Sequence, residues 1–258
     1  MRTVRAIRYV KPFKQGGSVP ALVEGDDDGM YVTKLRGASQ GEKTLIAEVI
    51  AGEIGRALGL PVPELVYVDL DASIAEAEPD PELCLPLEKS VGINLGLDFL
   101  PGSVTFDPLA GPWPDASVTS RVVLFDAFVA NVDRTARNAN ILTWHRAPWL
   151  IDHGAALYFH HGWRPDDPLE GSDDPFTEVR DHVLLRGATA LREAEAHLAA
   201  TLDDATLDRA VELVPDAWLA PDLAFDDVES HRDAYRQWLR ARRGRLPVLR
   251  ETAEAARG

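Results

Sequence analysis

Residues 131–140 read Asn131-Val132-Asp133-Arg134-Thr135-Ala136-Arg137-Asn138-Ala139-Asn140, and residues 149–154 read Trp149-Leu150-Ile151-Asp152-His153-Gly154. The first run is polar and carries more chemistry than a turn needs. Upstream of it, Val118, Val122, Phe125 and Val129 recur at helical spacing and predict a helix from about Ser117 to Ala130. Downstream, Asn140–Trp144 and Trp149–Ile151 read as short strands, with His145-Arg146-Ala147-Pro148 as the hairpin between them. The local order is therefore helix, polar loop, hairpin, then Asp-x-Gly.

Towards the N-terminus, residues 3–10, 20–23 and 30–35 read as three strands, with the turn signal Asp26-Asp27-Asp28-Gly29 before the third. Residues 43–58 predict a helix: Leu45, Val49 and Ala57 fall on one row and Ile46, Ile50, Ile54 and Leu58 on the next. Gly59 and Pro61 stop it. A strand follows at 65–68, an acidic surface loop over 71–82, and an apolar, glycine-punctuated stretch over 91–100. Pro101 to Pro114 reads as a connector between lobes. Beyond a polar loop at 162–176, the pattern is helical near 178–186, 189–201, 204–214 and 228–243. Strands first and helices later argue for an α+β fold. The expected division is 1–100 as a small β-rich N-lobe and 101–258 as a larger helical C-lobe.

Bulk properties narrow the function. The net charge of −15 disfavours general nucleic-acid binding, because an acidic surface repels phosphate backbones. Arg240-Ala241-Arg242-Arg243-Gly244-Arg245 is the one basic run, and it reads as cations at a helix end. No apolar run nears the ~18 residues of a membrane span, and no signal peptide is evident, so a cytoplasmic protein is expected. The single cysteine, Cys84, excludes a disulfide framework and a cysteine zinc site, and is expected to be a buried structural thiol. The tryptophans, among them Trp113, Trp144, Trp149 and Trp163, are expected to pack in the core or between lobes.

Phosphoryl transfer from ATP gives a physical reason for the central pattern. A carboxylate must take or orient the proton of the attacking hydroxyl. Hard oxygen ligands must hold Mg2+ against the phosphates. Asp133 and Asn138 stand five apart, as a catalytic Asp and a magnesium-binding Asn do in protein kinases, and Asp152 follows a hairpin and precedes Gly154 by two. Upstream, Lys34 lies on the third strand as a phosphate clamp, and Glu48 or Glu53 on the next helix would orient it. Arg134 and Arg137 are candidates for phosphate contact, but surface ion pairs with the many carboxylates are the expected state of both.

Tyr31-Val32-Thr33-Lys34, the run from Ala47-Glu48 through Leu58-Gly59-Leu60-Pro61-Val62-Pro63, Asn131-Val132-Asp133-Arg134 through Asn138, and Ile151-Asp152-His153-Gly154 resemble the HipA-like kinase family. The resemblance implies a protein-kinase-like bilobal fold that binds ATP and magnesium. It implies Asp133 as catalytic base, Asn138 and Asp152 as metal ligands, and Lys34 with Glu48 as the phosphate-binding pair. The nucleotide would lie between the lobes, against Asn94 to Leu100. Gln15-Gly16-Gly17-Ser18 stands where the family has a phosphate-binding loop, so Gly16 and Gly17 are the nucleotide-loop candidates. HipA proteins proper carry a further N-terminal region that this chain is expected to lack. His153 stands where ordinary protein kinases have phenylalanine.

The expected activity is ATP- and magnesium-dependent phosphorylation of a hydroxyl on a protein or small molecule, of serine/threonine type. One rival is a catalytically weak pseudokinase that binds nucleotide as a scaffold or sensor. Another is a metal-dependent hydrolase built on Asp152 with His145, His153, His160 and His161, although His160-His161-Gly162 reads as loop surface and no helical His pair flanks a Glu.

Overall fold

The alternation at the N-terminus does produce a strand: β1 (Thr3–Pro12) opens with a strict exposed–buried alternation over Thr3–Arg5 and Ala6. The computed structural model describes residues 1–12, 20–37, 41–76, 81–110, 113–164, 166–220, 222 and 224–258. It divides into two units, Met1–Leu45 with Pro63–Pro101, and Ile46–Val62 with Gly102–Gly258. Gly16 and Gly17 lie outside the described residues.

In the first unit, β2 (Ala21–Gly25) and β3 (Met30–Lys34) form a hairpin. Its turn is closed by Gly25 N–H donating to Gly29 O at 2.9 Å and Asp28 N–H to Gly25 O at 3.2 Å, with Asp28 at φ +62°. β4 (Leu65–Leu70) and β5 (Gly92–Asp98) complete a closed barrel of order β1-β2-β3-β5-β4, sealed by parallel pairing of Thr3–Arg5 with Tyr67–Asp69. Val4, Ala6, Val23, Tyr31, Val66 and Val68 fill it. Gly96 is required by that packing: a Cβ there would sit 2.6 Å from Val68 Cγ2 and 2.9 Å from Val66 Cγ2. β3 ends at Lys34 because the chain then bonds to side chains instead of a strand: Arg36 N–H donates to Asn94 Oδ1 at 2.9 Å and Gly37 N–H to Ser90 Oγ at 2.8 Å.

The acidic stretch 71–82, expected as a surface loop, instead carries α2 (Ala72–Glu76) and the start of α3 (Pro81–Glu88). Asp71 starts α2, its Oδ1 accepting from Ser73 N–H at 2.9 Å. Cys84 is half-buried on α3 with Sγ 3.2 Å from Glu88 Oε1, so it is not the core thiol the sequence suggested. The helix α1 (Gly41–Ala57) is buried from Thr44 to Gly52, on both of its faces rather than one. Gly59, at φ +67°, ends it, with Leu60 N–H donating to Gly55 O at 3.0 Å.

The second unit is built round α4 (Ala116–Phe128), which is N-capped by Asp115 Oδ1 on Val118 N–H at 2.9 Å. It is buried continuously from Val122 to Phe128, so it is a central helix with no polar face. A small antiparallel sheet, β6 (Val104–Thr105), β7 (Ile141–Trp144) and β8 (Ala147–Leu150), follows the order β6-β7-β8. Helices α5 (Leu191–Thr201), α6 (Asp204–Glu212), α7 (Asp216–Leu219), α8 (Val228–Arg243) and α9 (Leu246–Arg257) complete it, with α5 and α9 against α4.

The helix expected over 178–186 is replaced by two short 3₁₀ segments, Thr177–Asp181 and Leu185–Gly187. Their backbone groups are diverted: Val183 N–H donates to Arg134 O at 3.0 Å, and Leu184 N–H to His182 Nδ1 at 3.0 Å. The basic run does fall at a helix end, with Arg240, Arg242 and Arg243 in the last turn of α8, but Arg242 is not at the surface. It is fully buried and donates to Ala127 O at 2.8 Å, Phe128 O at 3.3 Å, Ser172 O at 3.2 Å and Asp174 O. The last carbonyls of α4 are thereby satisfied, and burial pushes the Arg242 guanidinium down to about 10. Among the described residues, no helix is long and apolar enough to cross a membrane.

Candidate active site

The polar loop after α4 is built on a buried acid. Asp126 lies near the end of α4 with no exposed surface. Such a charge requires compensation, because a lone carboxylate out of water costs several kcal/mol. Four donors supply it. Asn131 Nδ2 donates to Oδ1 at 2.9 Å, and Arg134 Nε to Oδ2 at 2.6 Å with Nη2 3.4 Å from Oδ1. His182 Nε2 is 2.9 Å from Oδ2. Since His182 Nδ1 accepts the Leu184 N–H, Nε2 carries the proton and is the donor. Burial alone would raise the Asp126 carboxyl, but the Arg134 guanidinium and His182 outweigh it and hold it well below the usual carboxylate range.

Arg134 is thus a buried brace, 1% exposed, and not the surface ion pair expected of it. Its Nη1 also reaches the carbonyls of Asn140 and, at 3.3 Å, Ile151. One guanidinium therefore joins the end of α4, the residue before β7 and the residue before Asp152. Asn131 adds a second link, its Oδ1 accepting the Asp133 N–H at 3.2 Å.

On this frame the loop presents its carboxylate. Asn138 Nδ2 donates to Asp133 Oδ2 at 2.7 Å, and Asn140 Nδ2 to the same oxygen at 3.2 Å. Asn140 Nδ2 also lies 3.5 Å from the Asp152 carbonyl. Asp133 and Asp152 are half-buried and Asn138 is exposed. Asn140 and Asp152 adopt left-handed backbone, at φ +48° and +56°. The structure thus brings Asp133, Asn138 and the Asp152 backbone into one cluster, with Asn140 as the bridge.

Glu48 is fully buried on α1, and its Oε2 lies 3.7 Å from His153 Nδ1, beyond hydrogen-bond length. His153, equally buried, stands edge-on to Phe125 at 5.8 Å. Glu53 instead is partly exposed and pairs with Arg56 at 3.3 Å. Lys34 closes β3 at 6% exposure. Of the histidines of the hydrolase reading, His160 and His161 lie together, with ring centroids 4.6 Å apart. His160, expected on the surface, is fully buried with Nδ1 3.0 Å from Tyr235 Oη, and among the described residues no group of three or more His, Cys, Asp or Glu gathers as a metal site.

The donor chemistry near Asp133 fits a hard divalent cation. With Asn138 Nδ2 spent on Asp133, the amide oxygen of Asn138 is turned from that bond, and an amide oxygen is the kind of hard donor that magnesium takes. Sequence reading missed Asp126, His182 and the bridging part of Asn140. The first had a signal: an aspartate inside Val122-Val123-Leu124-Phe125-Asp126-Ala127-Phe128 must be buried and therefore paired.

The fold is that of known kinases. The Helicobacter pylori proinflammatory kinase CtkA superposes with a TM-score of 0.58 at 14% identity, over 96% of this chain and 99% of that one. The Golgi casein kinase with Mn/ADP bound gives 0.54 at 14% identity, over 98% of this chain and 74% of that one. The same Golgi casein kinase in a second crystal structure gives 0.52 at 14% identity, over 98% and 73%. The chain belongs to the HipA-like kinase family, whose profile matches residues 6–244. No curated protein matches it as a relative.

Proposed function

We propose that this kinase moves the γ-phosphoryl group of ATP to a serine- or threonine-type hydroxyl of a protein or small molecule, with magnesium bound. The observation that carries the reading is the state of Asp133: Oδ2 is held by two amides, at 2.7 Å and 3.2 Å, which leaves Oδ1 for a substrate hydroxyl. In the reaction the hydroxyl oxygen bonds to the γ-phosphorus and the bond from that phosphorus to the β,γ-bridging oxygen breaks. ADP leaves with the electron pair, and the hydroxyl proton passes to Asp133 Oδ1. Asn138 and Asp152 are assigned to the metal, which when bound neutralises charge on the phosphate oxygens. Lys34 and Glu48 are assigned to the nucleotide phosphates. Gly16 and Gly17 are kept as candidates for the nucleotide loop. A solved relative that carries Mn/ADP supports a nucleotide and a divalent ion here.

The test is Asp133→Ala. Transfer of labelled phosphate, to added substrates or to the protein itself, is expected to fall by a factor of about 10² to 10⁴, while the thermal shift given by Mg-ATP persists. Equal phosphate transfer by the variant and the wild type defeats the reading. Binding of Mg-ATP with no transfer by the wild type selects the pseudokinase instead.

A further inference from the structure

We infer that Arg137 sets the substrate class of this kinase: it selects acceptors that carry a negative group, carboxylate or phosphate, close to the hydroxyl to be phosphorylated. This rests on the function proposed above and adds to it which acceptors are taken.

The chain has 42 acidic and 27 basic residues, so a surface guanidinium readily finds a carboxylate. Arg236 meets Glu212, Glu229 and Asp233, and Arg250 meets Glu195, Glu251 and Glu254. Arg137 is exposed and, among the described residues, forms no ion pair or hydrogen bond. Its freedom is not that of a loose loop. Thr135 N–H donates to Asn138 O at 3.0 Å and Asn138 N–H to Thr135 O at 3.2 Å, so Ala136 and Arg137 stand at the tip of a locked turn. The turn is held from the other side by the pairing of Thr135 with His182 and by Val183 N–H on Arg134 O at 3.0 Å.

The position joins this cation to the chemistry. The next residue, Asn138, holds the Asp133 carboxylate at 2.7 Å. Arg137 is thus four residues on from Asp133, at the tip of the turn whose Asn138 holds that carboxylate, and on this inference it lies within reach of an acceptor whose hydroxyl meets Asp133. On the other side of Asp133, Val132 is 36% exposed and adds a small apolar contact. The net charge of −15 repels anionic acceptors at long range, so a basic acceptor would win by default. A free guanidinium on the turn that holds the reacting carboxylate would reverse that preference locally, by attraction to one class and repulsion of the other.

The experiment uses serine peptides that differ only in flanking residues: glutamates, lysines, or phosphoserine beside the acceptor. For the wild type, kcat/KM with the glutamate peptide is expected to exceed that with the lysine peptide by about fivefold to tenfold. Arg137→Glu should reverse the order, and Arg137→Ala should level it. A loss shared equally by all three peptides would mean that Arg137 serves the nucleotide or the loop's structure, and the inference falls. A wild type without preference also overturns it. The phosphoserine peptide tells the sources of charge apart: if it outruns the glutamate peptide, phosphate is the group read. Calorimetric binding of the glutamate peptide judges the inference apart from turnover. Binding by the wild type and not by Arg137→Glu supports it even where no peptide is phosphorylated, and that second result would count against the proposed function alone.

Discussion

Asn140 ties two parts of the site together through one side chain. Its amide reaches Asp133 Oδ2 at 3.2 Å and the Asp152 carbonyl at 3.5 Å, from a backbone at φ +48°. Asparagine tolerates that backbone, alanine pays about 1 kcal/mol for it, and glycine enters it freely. Asn140→Gly and Asn140→Ala should therefore lose phosphate transfer alike, by roughly tenfold to a hundredfold, since both lack the amide. Only the alanine variant should also lose about 1 kcal/mol of stability relative to the glycine variant, read from denaturant midpoints. Wild-type turnover by Asn140→Gly would show that the bridge does not position Asp133. The spacing of Asp133, Asn138 and Asp152 was legible in the chain because it is set within 20 residues and by turn residues. Asp126 and His182, 56 residues apart, were not, because nothing local announces that they meet.

At the scale of elements, the β7–β8 hairpin carries Asp152 at its far end. Its two turn residues, His145 and Arg146, both have left-handed backbone, at φ +48° and +66°. That geometry favours Asn-Gly, and each non-glycine residue there costs about 1–2 kcal/mol. His145 regains part of this by packing on Trp144 at 4.3 Å, a contact of about 0.5–1.5 kcal/mol. The strain is larger than the contact. His145→Asn with Arg146→Gly is thus expected to raise stability by about 1 kcal/mol, seen as a higher urea midpoint with an unchanged slope. A lower midpoint would mean that the ring contact outweighs the backbone. The hairpin itself was evident from its flanking strands. The short 3₁₀ segments at 177–187 were not, since an apolar helical spacing there is overridden when Val183 and Leu184 donate elsewhere.

For the whole molecule the dominant quantity is charge. Many of the arginines sit in local ion pairs, and the chain as a whole keeps an excess of 15 negative charges. Exposed pairs contribute only about 0.2–1 kcal/mol each, while the excess repels itself over the ~10 Å range that 0.1 M salt allows. Repulsion should win, so the melting temperature should rise as sodium chloride goes from about 0.01 M to 0.2 M. A fall in melting temperature over that range would show that the surface pairs matter more than the excess. The same screening should weaken the preference for acidic peptides, because that preference is read at an exposed guanidinium.

The sequence by itself determined the succession from a strand-rich start to a helix-rich end, the α+β class and the loop that carries Asp133 and Asn138, because periodicity, turn chemistry and spacing act over a few residues. Only the tertiary structure decided which polar groups leave water. It sent Arg134 inward to Asp126 and left Arg137, three residues on, exposed at the tip of its turn. It set His153 against Glu48 and gave Asn140 the bridge. Desolvation depends on everything packed around a group, so no local pattern encodes it.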